Sequence, residues 1–449
     1  MKTHHALSIA AALLGAILLP TRSVVAQINA EERGSDNVEV LAHLPLGEFR
    51  TISDVEVEQD MTRPYAYVGR QLASGRPPET VVARGMDVVD ISDVRDPKVL
   101  HRWRIEEPDL HTGGGGKDVK IFSWNDRHYA VLSTQFGQGG PDNDLGAVVF
   151  DVTDLPEKLT EVARIQGPEA KGGFHNIYVY KHSNGRVLLF ATVAAPHSDI
   201  YDLGYVVEGR GDEARVANVP VPQNDATRGG RGYHDFYTGY HADSEQDRFY
   251  GGGTGGYYVY NVTDLENPEL LVSLTGINGV RGGHTFTPSP DGRYVVAETE
   301  YQYAPIRIFD LKPGLDGEVT NIRTPISAWT ANWQNLVHNH EVRWPLVFVS
   351  GYRDGLQIFS LSDPKHPKTV GHYDTNIGLE EGVNITHGAW GVDVRNGDGL
   401  ILISDMSTGL WLFHMEGFNG WNGLDYGMPN ISSEQDFVNG PAVQAVTRN

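Results

Sequence analysis

The chain has 449 residues, 40% hydrophobic and 10% aromatic, which is enough apolar surface for a large core and too much for a disordered chain. A formal charge of −22, from 36 Lys and Arg against 58 Asp and Glu, argues against nucleic acid or an anionic membrane as the main partner. With no cysteine, the chain has no disulfide, no cysteine nucleophile and no lipoprotein anchor.

The first residues, "MKTHHALSIAAALLGAILLPTRSVVAQ", place one lysine before an apolar run from Ala6 to Leu19, with Val24-Val25-Ala26 as a small-residue cleavage site. This predicts a secretory signal peptide over residues 1–26. The run is shorter than the ~20 residues a spanning helix needs, and no later segment is long enough. The expected mature chain is soluble, exported to the periplasm or beyond, without an integral membrane segment, and monomeric.

Beyond it, 52 glycines and many short apolar runs predict an all-β fold with few helices. "NVEVLAHLPLG", Asn37–Gly47, reads as one strand without a neighbouring hairpin partner. A strand-turn-strand segment then recurs, as in "GMDVVDISDVRDPKVLHRWRI" from Gly85, "GAVVFDVTDLPEKLTEVARI" from Gly146, "GYYVYNVTDLENPELLVSLTGI" from Gly256 and "GLQIFSLSDPKHPKTVGHYDT" from Gly355. Shorter copies are "PIRIFDL" from Pro305 and "GLWLFHM" from Gly409. Asp93, Asp154, Asp264 and Asp363 stand where an aspartate caps its own turn.

A second hairpin precedes each copy, so four strands make a unit of about fifty residues, the pattern of a propeller blade. Units start near Arg50, Lys117, His175, His234, His284, His338 and His387. The third is the poorest match, with "GYVVEGRGDEARVANV" as a degenerate second hairpin. The seventh supplies three strands and then becomes "EGFNGWNGLDYG". The expectation is a seven-bladed β-propeller over 37–416, closed by Val38–Leu44 pairing with Leu410–His414, followed by a tail over 417–449. Closure of this kind removes two open sheet edges.

"GLQIFSLSDPKHPKTVGHYDT" and "GAWGVDVRNGDGLILISDMSTGLWLF" resemble the LVIVD-repeat proteins, exported bacterial β-propellers. The resemblance covers most of the mature chain and implies the fold. It implies no reaction and carries over no catalytic residue.

In a propeller, residues just before a first strand stand at the rim of the central channel. His175, His234, His284, either His338 or His340, and His387 all occupy that register, separated by 59, 50, 54 (taking His338) and 49 residues. The other two units place Asp54 and Lys117 there. Neutral imidazoles suit a divalent transition metal such as iron, copper, zinc, nickel or manganese, at about 2.0–2.1 Å, and an open position would make the centre catalytic. The opposing reading is structural. WD-type propellers carry a Gly-His pair in this loop that locks neighbouring strands.

Lys171, Arg231 and Arg281 flank the same positions and suit an anionic ligand. Loops between second and third strands reach the same face. They hold Glu298 and Glu300, candidates for a general base or for orienting a histidine, and Tyr301, Tyr303, His197, Tyr352 and Arg353, candidates for walling a pocket. Asp142-Asn143-Asp144 offers oxygens for calcium but lacks the spacing of an EF-hand loop. No phosphate-binding or dinucleotide fingerprint and no Gly-x-Ser-x-Gly elbow occurs.

Two functions follow as expectations. One is a metal-dependent site, with His175, His234, His284, His338 and His387 as candidate ligands, acting as oxidoreductase, lyase or hydrolase on a small or oligomeric anionic ligand. The other is a non-catalytic scaffold binding a protein or glycan, its histidines structural.

Overall fold

The computed structural model describes residues 33–47, 51–72, 84–106, 114–136, 145–167, 172–223, 227, 232–376 and 386–423. The signal peptide, Lys171, Arg231, Asp142–Asp144 and the tail from 424 onward lie outside the described residues.

Strand β1 (Val38–Leu44) is followed by a succession of four-stranded antiparallel meanders. The first is β2 (Ile52–Val57), β3 (Tyr65–Leu72), β4 (Gly85–Asp90) and β5 (Lys98–Arg104). Next come β6 (Gly114–Trp124), β7 (Arg127–Gln135), β8 (Leu145–Asp151) and β9 (Thr160–Gln166), then β10 (Ile177–Lys181), β11 (Val187–Thr192), β12 (His197–Asp202) and β13 (Arg215–Pro220). The fourth sheet holds β14 (Tyr233–His241), β15 (Gln246–Gly253), β16 (Gly256–Asn261) and β17 (Glu269–Thr275). The fifth holds β18 (Phe286–Pro288), β19 (Tyr294–Ala297), β20 (Ile306–Asp310) and β21 (Ser327–Trp329). The sixth holds β22 (Asn339–Arg343), β23 (Leu346–Ser350), β24 (Leu356–Ser360) and β25 (Lys368–Tyr373).

The last sheet takes three strands from the C-terminal side, β26 (Ala389–Val394), β27 (Ile401–Asp405) and β28 (Gly409–Met415), and its fourth from the start of the chain. Val38 lies opposite Met415 and Leu44 opposite Leu410. The first two sheets are also bridged, Gln71 and Leu72 pairing with Gly115 and Gly114. First strands pack side by side in cyclic order, with β26 against β2 as well as β2 against β6.

Burial explains the layering. The inner strand β2 and the second strand β11 are buried along their whole length; β11 reads as an apolar run, as strands covered on both faces do, whereas β2 also buries Ser53, Asp54 and Glu56. Outer strands β5 and β9 are half exposed and carry Lys98, Arg102, Glu161 and Arg164, charges that discourage edge-to-edge pairing. Turn chemistry follows the aspartates at three of four positions. Asp93, Asp264 and Asp363 accept from the backbone N–H two residues on, at 2.9, 3.0 and 3.0 Å. In the second sheet Asp151 does this for Thr153, at 3.0 Å.

The third sheet departs from its sequence reading. Its third strand is "HSDIYD", and "LGYVV" behind it is a single helical turn, α1 (Leu203–Val207). Asp202 causes the change, because its side chain accepts from Tyr205 N–H and caps the turn.

Candidate functional site

Hydroxyls at the ends of second strands fix the register between sheets. Ser133 Oγ donates to His175 O at 3.3 Å, Ser350 Oγ to Trp390 O at 2.6 Å and Ser404 Oγ to Ser53 O at 2.6 Å. The same serines accept from Asp118 N–H at 2.9 Å and Gly391 N–H at 3.0 Å. One level around the axis is therefore Ser53, Lys117, His175, His234, His284, His338 and Trp390. A bulge between Ala389 and Gly391 brings Trp390 into the last position.

The rings at this level touch in sequence. Ring centroids are 4.6 Å apart for His175–His234, 4.2 Å for His234–His284, 5.2 Å for His284–His338 and 3.8 Å for His338–Trp390. Lys117 Nζ lies 5.2 Å from the Trp390 ring centroid and donates to Gln71 Oε1. Below lies a charged layer in which Lys120 meets Asp118 at 2.7 Å and Glu56 at 3.1 Å.

His284 is the best-held imidazole. Its Nδ1–H donates to Glu298 Oε2 at 3.1 Å, and its Nε2, without a hydrogen bond, faces Glu300 Oε2 at 3.7 Å. The other oxygen of Glu300 accepts from Tyr352 Oη–H. Burial would lower the basicity of His284, but the Glu298 and Glu300 carboxylates override it and raise its pKa to about 9. Burial pushes Glu298 up to about 7 against the pull of His284. His175 donates from Nδ1–H to Gln135 Oε1 at 3.0 Å, and His338 to Trp390 O at 2.8 Å. Burial, then the neighbouring basic groups, holds both well below the ordinary histidine pKa, so both are neutral at pH 7.

Among the described residues, His234, His284 and Glu300 offer donor atoms that all lie within 4.8 Å of one another. All three line a cavity of about 610 Å³ with Gln135, Phe136, His175, Tyr233, Arg281 and Tyr301. Glycine in its wall allows close backbone approach. Gly173 has φ of 73°, and a Cβ there would stand 2.0 Å from Thr134 O.

No family model and no curated protein matches the sequence. Among solved structures the chain is similar to one from "COPII on membranes, outer coat vertex", with a TM-score of 0.54 and 11% identity, over 82% of this chain and 85% of that one. It is also similar to one from "The structure of the COPII coat assembled on membranes", with a TM-score of 0.54 and 11% identity, over 82% of this chain and 47% of that one. The present chain thus spans about half the length of the second. The fold is a β-propeller. At this identity the likeness carries the fold alone. Among the described residues, no helix is long and apolar enough to cross a membrane.

The propeller places the sequence candidates unequally. His175, His234, His284 and His338 stand together on the axis. His387 is fully buried three residues before Trp390 and does not line the cavity. Asp54 sits one residue beyond the axial position, which Ser53 takes. His340 faces away from His338's level, fully enclosed, with neither ring nitrogen hydrogen-bonded. Glu300 joins the metal-competent group, and Glu298 orients His284 from behind. Arg281 and Tyr301 line the cavity, Tyr352 is buried behind Glu300, and Arg353 lies outside the cavity wall. Residues not foreseen are Gln135, Gln71 and Trp390. Trp390 is 52 residues after His338 and His387 is 49, so spacing alone favoured neither.

Proposed function

We propose that the chain is an exported, seven-bladed β-propeller of LVIVD type, closed by β1, that holds a divalent transition metal on its axis and presents it to a small or oligomeric anionic ligand. The observation carrying this reading is the His234–His284–Glu300 group, with donors within 4.8 Å of one another. Two imidazoles and a carboxylate suit zinc, iron, manganese or copper, and three protein ligands leave a position for water or a ligand oxygen. His284 supports it further, since a carboxylate on Nδ1–H is what orients an imidazole that binds metal through Nε2. Export rests on residues 1–26, and closure on the pairing of β1 with β28.

Such a centre serves metal-assisted oxidation, elimination or hydrolysis, and the fold does not choose among them. A second reading, a binding scaffold with structural histidines, is favoured by the hydrogen bonds from His175 to Gln135 and from His338 to Trp390, which tie neighbouring blades.

Metal analysis of tag-free protein purified without chelators separates the two. Near-stoichiometric metal in the parent, lost in the His234→Ala/His284→Ala variant, supports the centre. A metal-free parent refutes it and leaves the scaffold.

A further inference from the structure

Tyr301 lines the cavity, and two further exposed aromatic rings, Tyr303 and Trp333, lie on the loops that continue from it. Tyr301, Tyr303 and Trp333 are 41%, 58% and 52% exposed, among the few large hydrophobic side chains so placed in the described residues. They lie on two top-face loops, one between β19 and β20 and one between β21 and β22. Gln302 Nε2 donates to Gln334 O at 2.8 Å and ties these loops into one rim segment.

The backbone at Tyr303 is a second, independent observation. Its φ is 62°, in the left-handed region that a bulky residue rarely adopts. Glycine or asparagine would make this turn with less strain, and an exposed ring gains little burial in exchange. Among the described residues, the other non-glycine positions with positive φ are Asn125, Asp126 and Glu245, in hairpin turns, and Tyr352, which holds Glu300. Tyr303 stands two residues from Tyr301, and Tyr352 holds Glu300; Tyr301 and Glu300 both line the cavity.

Charge narrows the ligand. Arg281 lines the cavity, is exposed, and makes no side-chain ion pair among the described residues. In a chain of charge −22, an exposed guanidinium beside a metal position suits a carboxylate. Pyranose rings offer flat C–H faces for the aromatic rings and hydroxyls for Gln302 and Asn332. The cavity, about 610 Å³, is within the range that encloses a ligand.

We propose that the rim is an outer subsite of the same cavity and that the ligand is an acidic oligosaccharide. One uronic-acid unit enters the cavity with its carboxylate toward Arg281, and further units stack on Tyr301, Tyr303 and Trp333. This rests on reading the cavity as a ligand site.

Calorimetric titration tests it, using full-length tag-free protein of measured metal content. The probes are oligomers of galacturonic, glucuronic and mannuronic acid, the corresponding monomers, and the methyl-esterified oligomers. At least one acidic oligomer should bind more tightly than its monomer and than its ester. Tyr303→Ala and Trp333→Ala should each weaken that oligomer about tenfold while leaving the monomer unchanged. Arg281→Met should weaken both. Binding by none of the acidic oligomers, equal binding of the ester, or indifference of the oligomer to both aromatic variants would overturn the proposal. If metal is present and no oligomer binds, the subsite fails and the metal centre stands. If an oligomer binds without metal, the reverse holds.

Discussion

The Nδ1 atom of His284 lies 3.1 Å from Oε2 of Glu298, a carboxylate with no exposure, so a fully enclosed acid fixes the ring whose opposite nitrogen faces the cavity. The Glu298 and Glu300 charges outweigh burial in raising the pKa of that imidazole to about 9.

Glu298→Gln keeps the shape and removes the charge that raises the pKa of His284. In an NMR titration its imidazole should then fall toward or below the ordinary histidine value, because burial is the largest opposing influence. Metal affinity should drop by about 10–100-fold, as expected for loss of an orienting partner. An unchanged imidazole pKa would show that Glu298 does not set this site's electrostatics.

Lys117 is 9% exposed, and burial lowers its pKa to about 8 from 10.5. The unfolded chain then binds more protons than the folded one between these values, so stability rises with pH across that window. Below pH 8 the charge costs on the order of 3 kcal/mol. Lys117→Met should therefore be more stable than the parent in urea at pH 7, with the gap closing toward pH 10. A variant less stable at pH 7 would mean that the bond to Gln71 outweighs desolvation.

His340 occupies the level of Phe236 and Phe286 in the blades before it, and neither of its nitrogens is hydrogen-bonded. Burial, with the neighbouring His284, lowers its pKa to about 3 from 6.5. As pH falls below 6.5 the unfolded chain takes up a proton that the folded chain refuses, so stability is lost down to about pH 3. His340→Phe should remove that loss, a gain of about 2 kcal/mol near pH 5. Parallel pH–stability curves for variant and parent would contradict it.

Removing residues up to Leu44 deletes β1 and bares the outer edge of β28. Exposed strand edges pair with other chains, so the truncated protein should unfold at lower temperature and associate on size exclusion. A truncated monomer of unchanged melting temperature would show that the ring does not need this strand.

The propeller fold was legible because several sheets repeat one turn chemistry. Asp93, Asp264 and Asp363 stand at equivalent positions and make equivalent bonds. The histidine register was legible for His175, His234, His284 and His338, each of which stands within two residues of the start of an inner strand. It failed at His387, which stands three residues before Trp390; Trp390 takes the axial position at a bulge like the one at His234, and neither bulge has a signature in the sequence. The role of Glu300 was only half visible. Its approach to His284 depends on Tyr352, a residue in the next blade whose backbone is held by Ala389 at 3.0 and 2.9 Å in the blade after that. Contacts that cross three blades have no local pattern to read.

The central claim is the metal centre, and anomalous diffraction from crystals of tag-free protein, with data either side of the absorption edge of the bound metal, tests it most directly. The account predicts one strong peak between His234 Nε2 or Nδ1, His284 Nε2 and a Glu300 oxygen, at about 2.0–2.2 Å from each. A map with no peak there, from protein offered zinc, iron, manganese and copper in turn, would contradict it.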